Sequence, residues 1–339
     1  MASSSGGGFV RGDESPELIA NRARFGVSPD AGPQPDPYTH GVWAGEWRCP
    51  ERGRCVFTVP VLNEWPPSNR GAGGGVSGTI LAGLVDMAGV KVVQSLARQG
   101  ESLHGTAELS ISYMRVASGD VITATAQVLR KGKTMCFVDV EIADSQGRLA
   151  CKGRIAYALS QPEDGSSTAD SPFLHDDAWL RPTPFEHPEF SADVGVKERG
   201  HVRLRMHIDP AWLEAGLGGV PGDAARTASR LTKAGGLKGT ILAALLDQAT
   251  SGGGASGAVG TLARRGDVMN GHVELNLSYV RPAAGRYIDA NAVVTRYGKG
   301  LAFAECTFTD DEGRTVANGR VVYSIGKAAD DGSHLRAKV

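Results

Sequence analysis

The chain repeats itself. ELSISYMRVASGDVITATAQVLRKGK at 108–133 lies without a gap over ELNLSYVRPAAGRYIDANAVVTRYGK at 274–299, an offset of 166 residues. The register holds onward through Phe137 and Phe303, Asp144 and Asp310, and Tyr157 and Tyr323. Upstream, SGTILAGLVDMA (77–88) lies over KGTILAALLDQA (238–249) at an offset of 161, and the five extra residues fall in the second copy's SGGGASGAVG. Self-similarity on this scale means one supersecondary unit duplicated, so any acceptable fold must be buildable twice within 339 residues.

Each copy reads alike. A strand-like alternation, RCVFTVPVL (54–62) or HVRLRMHI (201–208), leads into a Gly-rich loop. Then GTILAGLVDMAGVKVVQSLAR (78–98) and GTILAALLDQATSGGGASGAVGTLARR (239–265) are apolar on nearly every side and too long for strands, which predicts buried helices. Four alternating segments follow, at 104–115, 120–130, 134–144 and 148–159, and again at 272–281, 286–296, 300–310 and 314–325. The turn signals between them have the spacing of an antiparallel meander. The predicted class is α+β: two antiparallel sheets, each wrapped around one long apolar helix, with their edge strands joined so that the copies pair as a pseudo-twofold dimer. Small residues in the helices, Gly83, Ala88 and Gly89 and then Ala243, Ala244 and Ala249, leave room for close approach of the sheet. The boundaries expected are a partly disordered leader (1–35), a first domain (36–160), a Pro/Asp/Ser-rich linker (161–185), a second domain (186–327) and a loose tail (328–339).

Several function classes drop out. Thirty-six Lys and Arg against 37 Asp and Glu give a formal net charge of −1 with no long block of either sign, which disfavours nucleic acid as a partner. There is no signal-peptide pattern at the start and no apolar run long enough for a membrane span, and the reading is a cytoplasmic protein. Cys49, Cys55, Cys136, Cys151 and Cys306 form no CxxC pair and have no His ligand set, so neither a disulfide framework nor a metal is expected. Cys49 and Cys55 bracket PERGR and are read as reduced structural thiols.

Asp86 and Asp247 stand near the middle of the two apolar helices, at matching positions. A buried carboxylate is costly unless it is partnered, and the same cost at both positions calls for a functional reason. Gly78 and Gly239 each lie eight residues before that Asp, where the helix begins. Unpaired amides at a helix start, with the positive end of its dipole, suit a developing oxyanion.

GTILAGLVDMAG, followed by ELSISYMRVASGD and then RKGK, resembles the hotdog fold of the 4-hydroxybenzoyl-CoA thioesterase superfamily, above all its phenylacetate-pathway branch. The duplicated form resembles double hotdog acyl-CoA thioesterases. The resemblance implies hydrolysis of an acyl-CoA thioester, with coenzyme A as part of the substrate and no separate cofactor. It places the oxyanion glycine on Gly78 and Gly239 and the catalytic carboxylate on Asp86 and Asp247. It also pairs each Asp with the glycine of the other half, Asp247 with Gly78 and Asp86 with Gly239. The family's His-Gly-Gly entry is Ser77-Gly78-Thr79 in one copy and Lys238-Gly239-Thr240 in the other. The strand-end motif falls on Tyr113 to Ala117 and on Tyr279 to Ala283.

The two sites are expected to be unequal. Thr250 and Ser251 follow Asp247 by one helical turn and could hold its carboxylate or a water, whereas Gly89 and Val90 follow Asp86. Asn69 belongs to the half that carries Gly78, so the Asp247 site is expected to be the competent one. For the coenzyme A phosphates, Arg130, Lys131, Lys133, Arg296 and Lys299 stand at hairpin ends, with Arg115 and Arg281 as further candidates. His104 and His272 are read as structural. Two other readings remain open: a hotdog hydratase, which needs a His with a carboxylate and finds none nearby in sequence, and a non-catalytic acyl-CoA or lipid-binding protein. Assembly of the pseudo-dimer into homo-oligomers is also open.

Overall fold

The computed structural model describes residues 46–61, 75–96, 101–160, 192–208, 237, 239–251, 257–264 and 266–327. The expected leader, linker and tail, and Asn69, lie outside them. The first unit comprises β1 (Glu46–Glu51), β2 (Arg54–Pro60), α1 (Gly78–Gln94), β3 (Ser102–Tyr113), β4 (Val121–Lys131), β5 (Met135–Ala143) and β6 (Leu149–Ser160). The second comprises β7 (Ala192–Glu198), β8 (His201–His207), α2 (Gly239–Thr250), a 3-10 turn (Gly260–Leu262), β9 (Asp267–Tyr279), β10 (Tyr287–Tyr297), β11 (Leu301–Thr309) and β12 (Thr315–Lys327).

The twelve strands form one antiparallel sheet in the order β1-β2-β4-β5-β6-β3-β9-β12-β11-β10-β8-β7. The order reads alike from either end. At its centre β3 pairs with β9, Ser110 opposite Asn276, Glu108 opposite Ser278 and Ser112 opposite Glu274. Ser110 and Asn276 are each other's counterparts in the repeat, so the twofold passes between them and the duplication becomes a symmetric ladder. The expected joining of edge strands is what the structure shows.

Each helix packs on the strands of its own unit, and the two helices touch. Ile80, Leu81, Leu84, Val85, Ala88, Val92 and Val93 of α1 are buried against alternating residues such as Ile122, Ala124 and Ala126 of β4 and Val138, Val140 and Ile142 of β5. Fully burying each large aliphatic side chain contributes about 1.5–3 kcal/mol. Room for the helices comes partly from the sheet: a Cβ on Gly153 would lie 2.3 Å from the Val85 side chain, and one on Gly319 2.7 Å from that of Leu246.

Two expectations are corrected. An outer strand, β1 or β7, pairs with the first predicted strand of each copy, through Trp47 opposite Phe57 and Val194 opposite Leu204. The second helix ends at Thr250 and does not run on to 265, because glycines crowd the sequence from residue 252. The first helix likewise stops at Gln94.

Candidate active site

Asp247 lies in the buried middle of α2, and its carboxylate reaches across to the start of α1. The Thr79 hydroxyl, in the first turn of α1, donates to Oδ2 at 2.6 Å. From its own unit, Tyr323 of β12 donates to Oδ1 at 2.8 Å, and His272 Nε2 of β9 lies 2.9 Å from the same oxygen. An ionised carboxylate only accepts, so Nε2 carries a proton, and in the neutral tautomer that leaves Nδ1 as the accepting nitrogen. Nδ1 faces the beginning of α1: a Cβ on Gly78 would come within 2.4 Å of it. Glycine at 78 is therefore what lets an imidazole stand against the helix start. Tyr113 of β3 donates to the Gly78 carbonyl at 2.9 Å, and its ring lies 5.2 Å from that of His272. The Tyr323 ring lies 4.9 Å away on the second unit's side.

A local irregularity in β9 turns His272 toward this point. The ladder to β12 slips between Glu274 opposite Val322 and His272 opposite Tyr323, which leaves Val273 as an extra residue. Such a bulge re-aims the side chain beside it. The same slip occurs in the first unit between Glu108 opposite Ala156 and Thr106 opposite Tyr157.

Burial on its own would make the Asp247 carboxyl less acidic. His272, through its charge when protonated and through its hydrogen bond, together with hydrogen bonds from Thr79 and Tyr323, outweighs it and holds the carboxyl well below the usual carboxylate range. Asp247 is thus a fixed negative charge beside the His272 ring.

The mirrored site has the same frame and different chemistry. Tyr279 donates to the Gly239 carbonyl at 2.9 Å, as Tyr113 does to Gly78. Asp86 accepts from Tyr157 at 3.0 Å and, more distantly, from Thr106 at 3.3 Å. Thr106 occupies the repeat position of His272. A Cβ on Gly239 would lie 2.6 Å from the Tyr279 hydroxyl and 3.3 Å from Thr106 Oγ1.

Thr250 is wholly buried, but it does not bind the Asp247 carboxylate as expected. Its hydroxyl lies 2.7 Å from that of Tyr323 and 2.6 Å from the Leu246 carbonyl, so it sits behind the tyrosine. At the equivalent place in α1, a Cβ on Gly89 would lie 2.4 Å from the Tyr157 hydroxyl, and Tyr157 instead reaches the Asp86 carbonyl at 2.8 Å. Ser251 is buried, and its amide donates to the Asp247 carbonyl at 2.7 Å.

Among the cationic candidates, Lys131 bonds Glu101, just before β3, at 2.6 Å with both side chains largely buried. Arg130, Lys133, Arg296, Lys299, Arg115 and Arg281 are exposed. Sequence comparison missed His272, Thr79, Tyr157 and Tyr323 as site residues. The available signal was the offset of 166, which sets His272 against Thr106; the histidine compared with it, His104, is exposed on β3. Among the described residues no cluster of three or more His, Cys, Asp or Glu could hold a metal ion, and no helix is long and apolar enough to cross a membrane.

Residues 73–151 match the model of the thioesterase superfamily. A candidate esterase from Saccharolobus solfataricus is 28% identical over 102 residues, 30% of this chain and 69% of that protein. A second, from Caenorhabditis elegans, is 42% identical over 59 residues, 16% of this chain and 35% of that protein. Among solved structures, the tesB protein of Mycobacterium avium subspecies paratuberculosis aligns over 83% of this chain and 96% of its own, with a TM-score of 0.52 and 13% identity. A protein of unknown function with a hot dog fold from Alicyclobacillus acidocaldarius aligns over 84% and 96%, with a TM-score of 0.51 and 12% identity. At these identities the structural likeness establishes the fold, two hotdog units in tandem. The match to the thioesterase superfamily model falls on the first unit, and the sequence repeat carries the same helix and strand motifs into the second.

Proposed function

We propose that the chain hydrolyses an acyl-CoA thioester, and that it does so at the Asp247 site. The observation that carries this reading is His272, with Nε2 bonded to a buried, ionised Asp247 and Nδ1 turned to the start of α1. Asp247 orients the ring and stabilises the imidazolium that forms on proton uptake. His272 Nδ1 takes a proton from water, and the water oxygen bonds to the thioester carbonyl carbon. The carbonyl oxygen becomes an oxyanion in reach of the first-turn amides at Gly78 and Thr79, which have no acceptor within the helix. Collapse breaks the C–S bond, and the proton on Nδ1 passes to the departing thiolate, giving free acid and coenzyme A thiol. This assigns the base to His272 and makes Asp247 its partner, where the sequence had pointed to Asp247 itself. The exposed Arg130, Lys133, Arg296, Lys299, Arg115 and Arg281 are the candidates for contact with the phosphates of coenzyme A.

The same dyad favours a second reading. A histidine held by a carboxylate is what water addition to an enoyl-CoA requires, and the sequence objection to it fails once His272 stands beside Asp247. A panel of saturated, aryl and 2-enoyl-CoA esters, followed for thiol release and for loss of alkene absorbance, tests both. Thiol release abolished by His272→Gln is expected. Hydration without thiol release would replace the hydrolase reading, and binding with neither reaction would overturn both.

A further inference from the structure

A second chemical cluster lies at the outer edge of the first unit, away from either Asp. The β1–β2 ladder runs Trp47 opposite Phe57 and Arg48 opposite Val56, then slips before Glu51 opposite Arg54. Continued by one residue, that register sets Cys49 against Cys55, and the two thiols are hydrogen-bonded. Residues directly opposed in an antiparallel ladder have Cα atoms about 4.5–5.5 Å apart, inside the range of about 4.4–6.8 Å that a disulfide spans. Cys55 is fully buried; Cys49 is half-buried. Lys91, in the last turn of α1, is the cation beside both.

The second unit supplies the comparison. Cys55 lies opposite Ala126 of β4, and the counterpart of Ala126 is Ala292, which lies opposite Val202 of β8. Val202 pairs with Val196, and a bulge follows there as well. The edge hairpin therefore folds with Val196 and Val202 where the first unit has Cys49 and Cys55. Lys91 faces glycine in the repeat, Gly252 at the helix offset and Gly257 at the later one. The surroundings otherwise match: Gly53 N–H donates to Ser95 Oγ at 2.9 Å and Gly200 N–H to Thr261 Oγ1 at 2.7 Å. Packing thus requires neither the thiols nor the lysine.

We propose that Cys49 and Cys55 form a reversible dithiol–disulfide site, with Cys49 as the attacking thiolate, Lys91 as its counter-charge and a peroxide as the oxidant. The hydrogen bond from Cys55, together with the Lys91 ammonium, holds the Cys49 thiol below its ordinary range against the cost of burial. The bond to Cys49, and then burial, push the Cys55 thiol up, so the two have distinct roles. Cys49 sulfur attacks one peroxide oxygen, the O–O bond breaks and a sulfenic acid forms with release of hydroxide. Cys55 sulfur then attacks the Cys49 sulfur, the S–O bond breaks, and the Cys55 proton leaves with the hydroxyl as water. A dithiol reductant reverses the step.

The full chain treated with a small excess of hydrogen peroxide, alkylated under denaturing conditions and mapped by mass spectrometry should yield one linked Cys49–Cys55 peptide, lost on treatment with dithiothreitol. Cys136, Cys151 and Cys306 should remain alkylatable. The Cys49→Val, Cys55→Val double variant, which installs the second unit's pair, should fold and give no linked peptide. Lys91→Met should slow formation of the link at least severalfold. A link that involves another cysteine, or Cys49 found as sulfinic acid or unreacted, would overturn the proposal, and an unchanged rate in Lys91→Met would remove the lysine from it.

Discussion

The two halves share a helix, a bulged strand, a buried Asp and a tyrosine bonded to a helix-start carbonyl, yet they differ at the strand residue beside the carboxylate, His272 or Thr106, and in how the tyrosine that bonds the carboxylate is seated. Asp247 is held by Thr79, Tyr323 and His272. Asp86 has Thr106 at the histidine position, at 3.3 Å, and a Tyr157 that is shared with the helix backbone. The residue one turn on decides how each tyrosine sits: the hydroxyl of Thr250 backs Tyr323, whereas Gly89 lets Tyr157 settle onto the helix. A duplicated scaffold can thus keep its fold in both copies while the hydrogen bonding around the carboxylate differs between them, because the scaffold depends on packing and the site on a few polar side chains.

The comparison breaks most visibly at the acids. Asp247→Asn should lower kcat for thioester hydrolysis on the order of 10³-fold, and Asp86→Asn should leave it within about twofold; equal losses in separate assays would remove the asymmetry. His272→Gln removes the base itself and should cost at least as much, on the order of 10³-fold. It also removes the charge that outweighs the burial of Asp247, so the carboxyl becomes less acidic. A depressed carboxyl stabilises the fold above its unfolded value of about 3.9 and loses that contribution as pH falls through the folded value. The acid-unfolding midpoint of His272→Gln, followed by circular dichroism, should therefore move to higher pH, and an unmoved midpoint would show that His272 does not set the state of Asp247.

Tyr323→Phe removes one hydrogen bond from Asp247 and should slow hydrolysis about tenfold, against less than about twofold for Tyr157→Phe. The smallest effect is expected at Thr250→Ala, where Tyr323 stays in place but loses its backing: about threefold in kcat with ~1 kcal/mol of stability, read from steady-state kinetics and urea unfolding.

Much of this was legible because duplication tests each inference twice. The 166-residue offset set Ser110 against Asn276 and so anticipated the central ladder, and an Asp repeated inside two apolar helices marked the sites. The resemblance pairs Asp247 with Gly78, and it is the neighbouring Thr79 hydroxyl that reaches the Asp247 carboxylate across the units. His272 was not legible as a partner, since it lies 25 residues from Asp247 and meets it only after a bulge turns the strand. Lys131 looked like a free hairpin cation because Glu101, 30 residues away, gave no sequence sign of closing on it. Strand pairing and bulges place those side chains, and neither is written in local spacing.

Hydrolysis at the Asp247 site requires the thioester carbonyl to be taken at the start of α1. A structure with a non-cleavable acyl-CoA analogue, its thioester sulfur replaced by methylene and its carbonyl kept, tests that directly. The carbonyl oxygen should lie within hydrogen-bond distance of the Gly78 or Thr79 amide, with His272 Nδ1 facing the carbonyl carbon. A carbonyl seated at Gly239 beside Asp86, or away from both helix starts, would contradict it.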